Sequence, residues 1–400
     1  MVAARDDDLP VSADACDVLV VGAGPAGSAT AAGLAASGRS VILVEAVSHP
    51  RPKACAEYAS PMIADELDRL GIAAATWQAD ALPVQGMRVI RGADAVDIRY
   101  ADARGLRPAW GLDRTRFDAA LAEHAATRGA RVLDRTAFAD TRRRADGWRT
   151  TVRSGGVERA IASRWLIGAD GARSGVARRL GVERPVRVPR RLGLVAHYEG
   201  DPGLVDHGEM HVGLEHYVGL APLAGGRLNV GMALPAGDRR AAEQRFDAAI
   251  AALPAVAARL DGRRRLTPIR GASPIGHRVA RAAGPGWMLV GDAAGFIDPF
   301  TGEGIYRALR SARAATAAMD GGEDGVERRY LAERRAAFRA KDALTWTLQG
   351  LLAAPPVLGY ALRRLGTRPA LALRLGSALG DCRPASDALS PLFLARVLLP

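Results

Sequence analysis

The sequence predicts a mixed α/β fold: a parallel nucleotide-binding layer, interleaved with a mainly antiparallel sheet and closed by C-terminal helices. Three observations predict it. A short apolar run at residues 18–21 leads into Gly22-Ala-Gly24-Pro25-Ala-Gly27, an alanine-rich stretch and a second apolar run ending at Glu45. Two further glycine-bearing segments, Gly168-Ala-Asp170-Gly171-Ala-Arg173-Ser174 and Gly291-Asp292-Ala-Ala-Gly295, each follow an apolar run. Residues 192–234 break into short runs separated by Gly and Pro, the pattern of antiparallel strands.

Taken in order, residues 1–15 are polar and read as loose, with no apolar segment of the kind a signal peptide needs. Residues 18–21 read as a strand buried on both faces, as parallel strands are. Residues 26–37 read as a helix closed by Gly38, and 40–45 as the second strand. That completes a Rossmann-type βαβ unit of about 30 residues, the setting in which a G-x-G-x-x-G segment binds a dinucleotide. Gly22 permits the tight turn, Gly24 lets backbone approach a pyrophosphate, and Gly27 lets helix and strand pack closely. Pro25 fits the first helical turn. Glu45 can accept hydrogen bonds from a ribose and would repel a ribose phosphate.

Residues 49–61 form a proline-rich loop carrying Arg51, Lys53 and Cys55. Residues 62–70 read as a helix stopped by Gly71, 87–100 alternate as strands do, and Arg114–Thr127 reads as a helix. Strands are expected at 149–152, 165–167, 192–198, 209–214, 217–220, 227–234 and 287–290. Helices follow Gly304, to about 353 and again beyond 358. No low-complexity linker divides the chain. The expected division is a discontinuous cofactor domain of residues 1–80, 101–185 and 270–330, a substrate sheet of 81–100 and 186–269, and a helical region of 331–400.

Bulk composition is that of an ordinary globular protein, 48% hydrophobic and 24% charged, so the chain is ample for a large core. The formal charge of +12 raises nucleic acid or an acidic membrane surface as partners. The clusters Arg142-Arg143-Arg144 and Arg263-Arg264-Arg265 lack interleaved aromatics, however, and read as solvated surface. No nucleic-acid partner is expected; peripheral membrane contact stays open. The 3 cysteines, Cys16, Cys55 and Cys382, have neither disulfide nor zinc spacing, so no metal is expected, and a reducing cytoplasm fits. The longest apolar stretch, 348–362, is broken by Pro355-Pro356, and no membrane span is expected.

One glycine segment alone says little. Three in this order point to a bound flavin. They resemble those of flavoprotein hydroxylases of the para-hydroxybenzoate hydroxylase class and of the related geranylgeranyl reductase group, over nearly the whole chain from Asp17 to about Arg313. The resemblance implies FAD, held by Gly22, Gly24, Pro25, Gly27 and Glu45, with Asp170 in the second motif and Asp292 on the ribityl chain. Arg114-Thr-Arg-Phe117-Asp118-Ala-Ala-Leu121 resembles R-x-x-L/F-D-x-x-L, which implies that Arg114 reaches the flavin phosphate and ribityl region. Gly302-Glu303-Gly304-Ile305 opens a helix whose N–H groups would face flavin N1 and O2.

Pro50-Arg51-Pro52-Lys53-Ala54-Cys55-Ala56-Glu57 resembles the reductase loop P-R-x-K-x-C-G-E, with Ala56 in place of Gly. It implies that Arg51, Lys53 and Cys55 lie beside the ring, with Arg51 also a cofactor contact. Lys53 is one of only two lysines, so a compact ammonium is wanted there. Where the hydroxylases carry His after G-D-A-A, this chain has Gly295, as the reductases do. Where the reductases carry Y-x-W-x-F-P, it has Tyr217-Val-Gly219-Leu-Ala221-Pro222, so a pocket of different shape is expected. His197, His211, His216 and Tyr217 are candidate substrate contacts. No second G-x-G-x-x-G exists, so NAD(P)H would dock transiently at the flavin. The leading expectation is an NAD(P)H-dependent monooxygenase acting on an aromatic or polyketide-like hydrophobic substrate. The alternatives are reduction of carbon–carbon double bonds and a non-catalytic basic membrane or nucleic-acid binding protein on a Rossmann scaffold.

Overall fold

The computed structural model describes residues 11–398; of the stretch 1–15 read as loose, residues 1–10 lie outside the described residues and 11–15 belong instead to the strand Val11–Val21. Five strands form a parallel layer in the order Arg131–Leu133, Val41–Val44, Val11–Val21, Val157–Gly168 and Trp287–Leu289. The centre of this layer has the apolar character that parallel strands need, since both faces are covered. Val18, Leu19, Val20, Leu43, Leu166 and Ile167 are all at 0% exposure. Truncating any such leucine to alanine would cost about 2–5 kcal/mol.

The strand Val157–Gly168 has two partners on one side. Its last residues pair with Trp287–Leu289, while its first two-thirds pair antiparallel with Gly147–Ser154, itself paired with Thr136–Arg144. The sequence reading found only its apolar tail, 165–167. The rest alternates with arginines on an exposed face, and the strand Val11–Val21 likewise begins earlier than its apolar run.

A seven-stranded sheet runs in the order Arg270–Ala272, Arg191–Glu199, Arg227–Pro235, Tyr217–Leu223, Gly208–Val212, Gly86–Arg91 and Asp94–Arg99. All its pairings are antiparallel except Gly208–Val212 with Gly86–Arg91. Helices Ala242–Ala251 and Pro254–Leu260, which the sequence reading did not separate from the surrounding sheet, seal its outer face through Phe246, Val256 and Leu260. A small sheet of Tyr58–Ala59, Ala109–Leu112 and Ala81–Val84 shares no strand with either large sheet but packs on the strand Tyr217–Leu223, where a Cβ at Gly111 would stand 2.1 Å from the Pro222 carbonyl oxygen.

The helices Pro25–Ala36 and Gly304–Asp320 pack on each other so closely that a Cβ at Gly33 would stand 2.8 Å from the Thr316 hydroxyl. The last helices, Val326–Leu352, Pro355–Gly366, Pro369–Leu379 and Pro391–Leu398, share a core with the seven-stranded sheet. Ile98 meets Leu358, Leu362, Ala372 and Phe393 there. Among the described residues no helix is long and apolar enough to cross a membrane.

Candidate functional site

The glycine turn at 22–27 is dictated by contact. Gly22 has φ +101°, and a Cβ there would lie 2.6 Å from the Ala169 carbonyl oxygen; a Cβ at Gly27 would lie 1.8 Å from the Gly22 carbonyl oxygen. Only glycine allows the strand, the turn and the helix to close on one another. Gly24 is different. A Cβ there would meet nothing nearer than the Arg51 guanidinium at 4.0 Å, so the backbone faces open space at the start of the helix Pro25–Ala36, where N–H groups favour an anion.

Glu45 ends the second strand and is buried. Its carboxylate accepts from the Ala23 N–H at 2.9 Å and from Arg51 Nη2 at 3.1 Å. Arg51 Nε is buried without a partner, and His49 Nε2 donates to the Ala23 carbonyl at 3.0 Å. Arg51 therefore stands at the Glu45 end of its loop, at the glycine turn. The same loop continues past Gly171, whose Cβ would be 4.0 Å from Lys53 Nζ, to the seven-stranded sheet, where Asn229 Nδ2 donates to the Cys55 carbonyl at 2.9 Å.

Cys55 Sγ accepts from Arg114 Nη1 at 3.2 Å and from the Glu57 N–H at 3.4 Å. Arg114 grips Asp118 with two parallel bonds of 2.8 and 2.9 Å, both partners buried. Burial works against the Asp118 carboxylate, yet the Arg114 charge, aided by Lys53 and Arg51, holds its pKa below the usual range. Two cations of the loop and one of the helix Arg114–Thr127 so gather around one buried acid.

Glu57 is the hub that sequence reasoning passed over. It is buried with φ +56°, a conformation costly for a side chain of this size. Three elements over-determine it. Its Oε1 accepts from the Arg114 N–H at 2.9 Å, and its Oε2 accepts from His197 Nε2 at 2.6 Å and Asn229 Nδ2 at 2.8 Å. His197 Nδ1 faces the Thr267 hydroxyl at 3.2 Å, which completes a chain from Thr267 through His197 to Glu57 and the Cys55 loop. The signal was present, since Glu57 closes the P-R-x-K-x-C segment.

Asp292 lies in the short helical turn Gly291–Ala294, partly exposed, and its carboxylate has no hydrogen-bond or ion-pair partner among the described residues. Asp170 is spent locally: it accepts from the Ser174 hydroxyl at 2.6 Å and the Val176 N–H at 3.1 Å, fixing the start of helix Gly175–Arg179. Beyond Asp292, Gly302 packs on the Tyr58 ring, and Gly304 and Ile305 begin a 17-residue helix with no side-chain cap. Glu303, just before that helix, is buried on Lys341 at 2.9 Å. Lys341 also pairs with Asp381 at 3.0 Å and donates to the Leu379 carbonyl at 2.8 Å. Burial pushes the Asp381 carboxyl up to about 6 against the pull of Lys341.

A cavity of about 60 Å³ lies between the Gly302 turn, Ala56 and the seven-stranded sheet. Its lining is apolar, including Met87, Ile98, Met210 and Leu220. Gly219 and Ala221 face it, where the resembling reductases carry aromatics; Tyr58, Tyr100 and Phe300 supply rings from other elements. Tyr217 does not line it. Its hydroxyl donates to buried Asp298 at 2.6 Å, and its ring packs edge-on against Phe300 at 5.1 Å. His211 is paired with Glu209 at 2.8 Å and His216 Nε2 donates to the Ala249 carbonyl at 3.3 Å, so neither reaches the cavity. Of the four substrate candidates, only His197 joins the central network; His211, His216 and Tyr217 are each engaged by partners elsewhere.

Residues 15–319 match the family model described as FAD binding domain. The chain is 33% identical over 329 residues to menaquinone reductase of Mycobacterium tuberculosis, which covers 77% of each chain. It is 30% identical over 336 residues to digeranylgeranylglycerophospholipid reductase 1 of Methanothermobacter thermautotrophicus, covering 79% of this chain and 80% of that one. Its fold is similar to a flavoprotein/dehydrogenase from Cytophaga hutchinsonii, with TM-score 0.82, 23% identity and 96% of each chain covered. The open backbone at Gly24, the unpartnered Asp292 carboxylate and the orphaned Arg51 Nε all fit a bound dinucleotide. This chain belongs to the FAD binding domain family and is an FAD-dependent oxidoreductase.

Proposed function

We propose that this enzyme reduces a carbon–carbon double bond in an apolar, isoprenoid-bearing substrate. The observation that carries this reading is the apolar cavity beside Ala56, one residue from both Cys55 and Glu57, so that a hydrocarbon site adjoins a proton-bearing network. The names of the relatives support reduction, and so does Gly295. Hydroxylation, the leading expectation from sequence, has no comparable support among those names.

FAD would be held by Gly22, Gly24, Pro25 and Gly27 at the pyrophosphate, Glu45 and Arg51 at the adenosine ribose, and Asp292 at the ribityl chain. Arg114 and Asp170 would shape the site from behind it. Gly302, Gly304 and Ile305 would place a helix N-terminus at the ring, where developing negative charge is stabilised. When bound and reduced, FAD supplies a hydride. The chain supplies the rest. The cavity orients the double bond and excludes water. Glu57 holds His197 by its Nε2–H, and the Thr267 hydroxyl donates to Nδ1, so a proton can move along that line toward the Cys55 loop. Arg114 and the Glu57 N–H hold the Cys55 sulfur in place. NAD(P)H serves as electron donor in this reading. Residues 81–100 and 186–269 would form the substrate unit, and 1–80, 101–185 and 270–330 the cofactor unit.

Mass spectrometry of the product decides it. Reduced, FAD-loaded enzyme should add a hydride and a proton to a menaquinone or polyprenyl substrate under strict anaerobiosis. A product that forms only in air and carries an oxygen atom from labelled O₂ would mean hydroxylation instead.

A further inference from the structure

The basic clusters that stand out in the sequence are largely spent on acids: Arg263 pairs with Asp201 at 3.0 Å and Arg264 with Glu199 at 2.8 Å. The arginines without such partners gather elsewhere. A groove of about 980 Å³ lies between the chain after Asp292, the loop 185–189 and the helix Val326–Leu352. Seven arginines line it against a single acid, Asp342, which Arg307 already engages at 2.7 Å. Arg187, Arg278, Arg335 and Arg339 make no side-chain hydrogen bond or ion pair among the described residues.

Arg334 is the most telling of them. It donates to the Ala294 carbonyl at 2.8 Å and lies over the Phe338 ring at 5.2 Å, with no carboxylate in ion-pair reach among the described residues. Burial lowers its pKa, and Arg307 beside it adds to that. A guanidinium withdrawn from water without a counter-charge is costly unless an anion completes it. A cleft of one sign with apolar walls also focuses its field on whatever enters. The rim supplies apolar contact through Val188, 72% exposed, and Trp346, 49% exposed.

We infer that this groove binds the phosphate or diphosphate group of an organic ligand whose planar or apolar part rests on Trp346 and Val188. Planar guanidinium forks match phosphate oxygens in pairs, which suits a multiply charged anion better than a single carboxylate. One wall of the groove is Ala294, Gly295, Phe296 and Ile297, the segment directly after Asp292, so a ligand here borders the cofactor's own turn. The site goes beyond the reading above and stands whichever bond is reduced. Two sources share this chemistry: the phosphates of a nicotinamide dinucleotide and the diphosphate of a prenyl compound.

Calorimetry on FAD-loaded enzyme tests it, with inorganic pyrophosphate, NADPH, NADH and farnesyl diphosphate as the titrants. The variants are Arg335→Glu with Arg339→Glu, both on an exposed helix face, and separately Arg187→Glu. Pyrophosphate should bind wild type, more weakly at higher salt, and the double variant should weaken it about ten-fold or more while flavin content is unchanged. A dinucleotide binding more tightly than pyrophosphate identifies the reductant as occupant; farnesyl diphosphate doing so identifies a prenyl ligand. The inference is overturned if wild type takes up no pyrophosphate at millimolar concentration, if the variants bind it as wild type does, or if neither organic phosphate binds more tightly than pyrophosphate.

Discussion

Replacing Lys341 with methionine should make folding stability fall more steeply with rising pH than it does in the wild type. Lys341 is buried and balances two buried acids, Glu303 at 2.9 Å and Asp381 at 3.0 Å, while donating to two carbonyls at 2.8 and 3.2 Å. Methionine keeps the volume and removes the charge. Deleting one partner of a buried pair costs about 3–5 kcal/mol, because the remaining charges stay buried without compensation. The sign with pH follows from Asp381. Its folded pKa, about 6 in the wild type, already lies above the ordinary aspartate value of 3.8. A carboxyl raised on folding stabilises the fold fully below its unfolded pKa, and that contribution is lost as pH rises through the folded value. Lys341 is the leading lowering influence on both acids, so its loss raises Asp381 further, lifts Glu303 from its lowered position and widens the window upward. At about 1.4 kcal/mol per pKa unit, the deficit against wild type should be about 3–5 kcal/mol at pH 8 and shrink by about 2–3 kcal/mol at pH 5. Urea unfolding of FAD-saturated protein across that range measures it. A deficit equal at both ends, or under about 1 kcal/mol at pH 8, would refute the reasoning.

Four further outcomes are expected. Asp292→Ala should weaken FAD about ten- to a hundred-fold, as loss of a charge-assisted hydrogen bond worth about 1.5–3 kcal/mol does, and equilibrium dialysis with an unchanged dissociation constant would count against the ribityl assignment. Gly27→Ala should abolish FAD retention, since its Cβ would fall 1.8 Å from the Gly22 carbonyl oxygen; a yellow, correctly folded variant would contradict the turn geometry. Glu57→Gln should lower turnover on substrate by about a hundred-fold or more while flavin content and dithionite reduction stay normal, and a wild-type pH–rate profile would remove Glu57 from the proton path. Gly304→Val has room locally, because its first Cβ contact is the Phe296 ring at 3.7 Å, yet it should displace the helix start from the ring and lower the flavin potential by tens of millivolts, with about 30 mV equal to about 1.4 kcal/mol. Spectroelectrochemistry showing an unchanged or higher potential would assign that role elsewhere.

The elements legible in the sequence are those whose signal is local. Helix Arg114–Thr127 has an Asp113 cap that accepts from the Thr115 and Arg116 N–H groups, and it appears at the boundaries expected. The buried parallel strands announce themselves as β-branched runs. What could not be seen depends on distant partners. Tyr58–Ala59 is a strand only because Trp110 and Gly111 pair with it. The long strand at 157–168 has a polar half because a hairpin covers it. The site divides in the same way. The glycines of the turn could be named because their spacing repeats a known motif, although the contact that forces Gly22 comes from the distant Ala169. Glu57, Asn229, Thr267 and Lys341 matter only because four separate segments converge, and no periodicity records that. Tyr217 and His211 misled for the complementary reason: polar residues on a central strand look functional until their partners, Asp298 and Glu209, are seen.

The loop that leaves Glu45 and arrives at Glu57 acts as a ruler. Both ends are clamped, with Glu45 at 7% and Glu57 at 3% exposure, and between them the chain reports to the glycine turn, the Arg114–Asp118 pair and the seven-stranded sheet in succession. Surface loops ordinarily absorb insertions, because nothing measures their length. Here one added residue would shift every later mark by up to about 3.5 Å, more than the slack of any hydrogen bond the loop makes. Length should therefore be inherited more strictly than composition along this segment. Any tightening at the ribose end when the cofactor seats would be felt at the carboxylate that grips His197, so filling one end of the molecule sets the tension at the other.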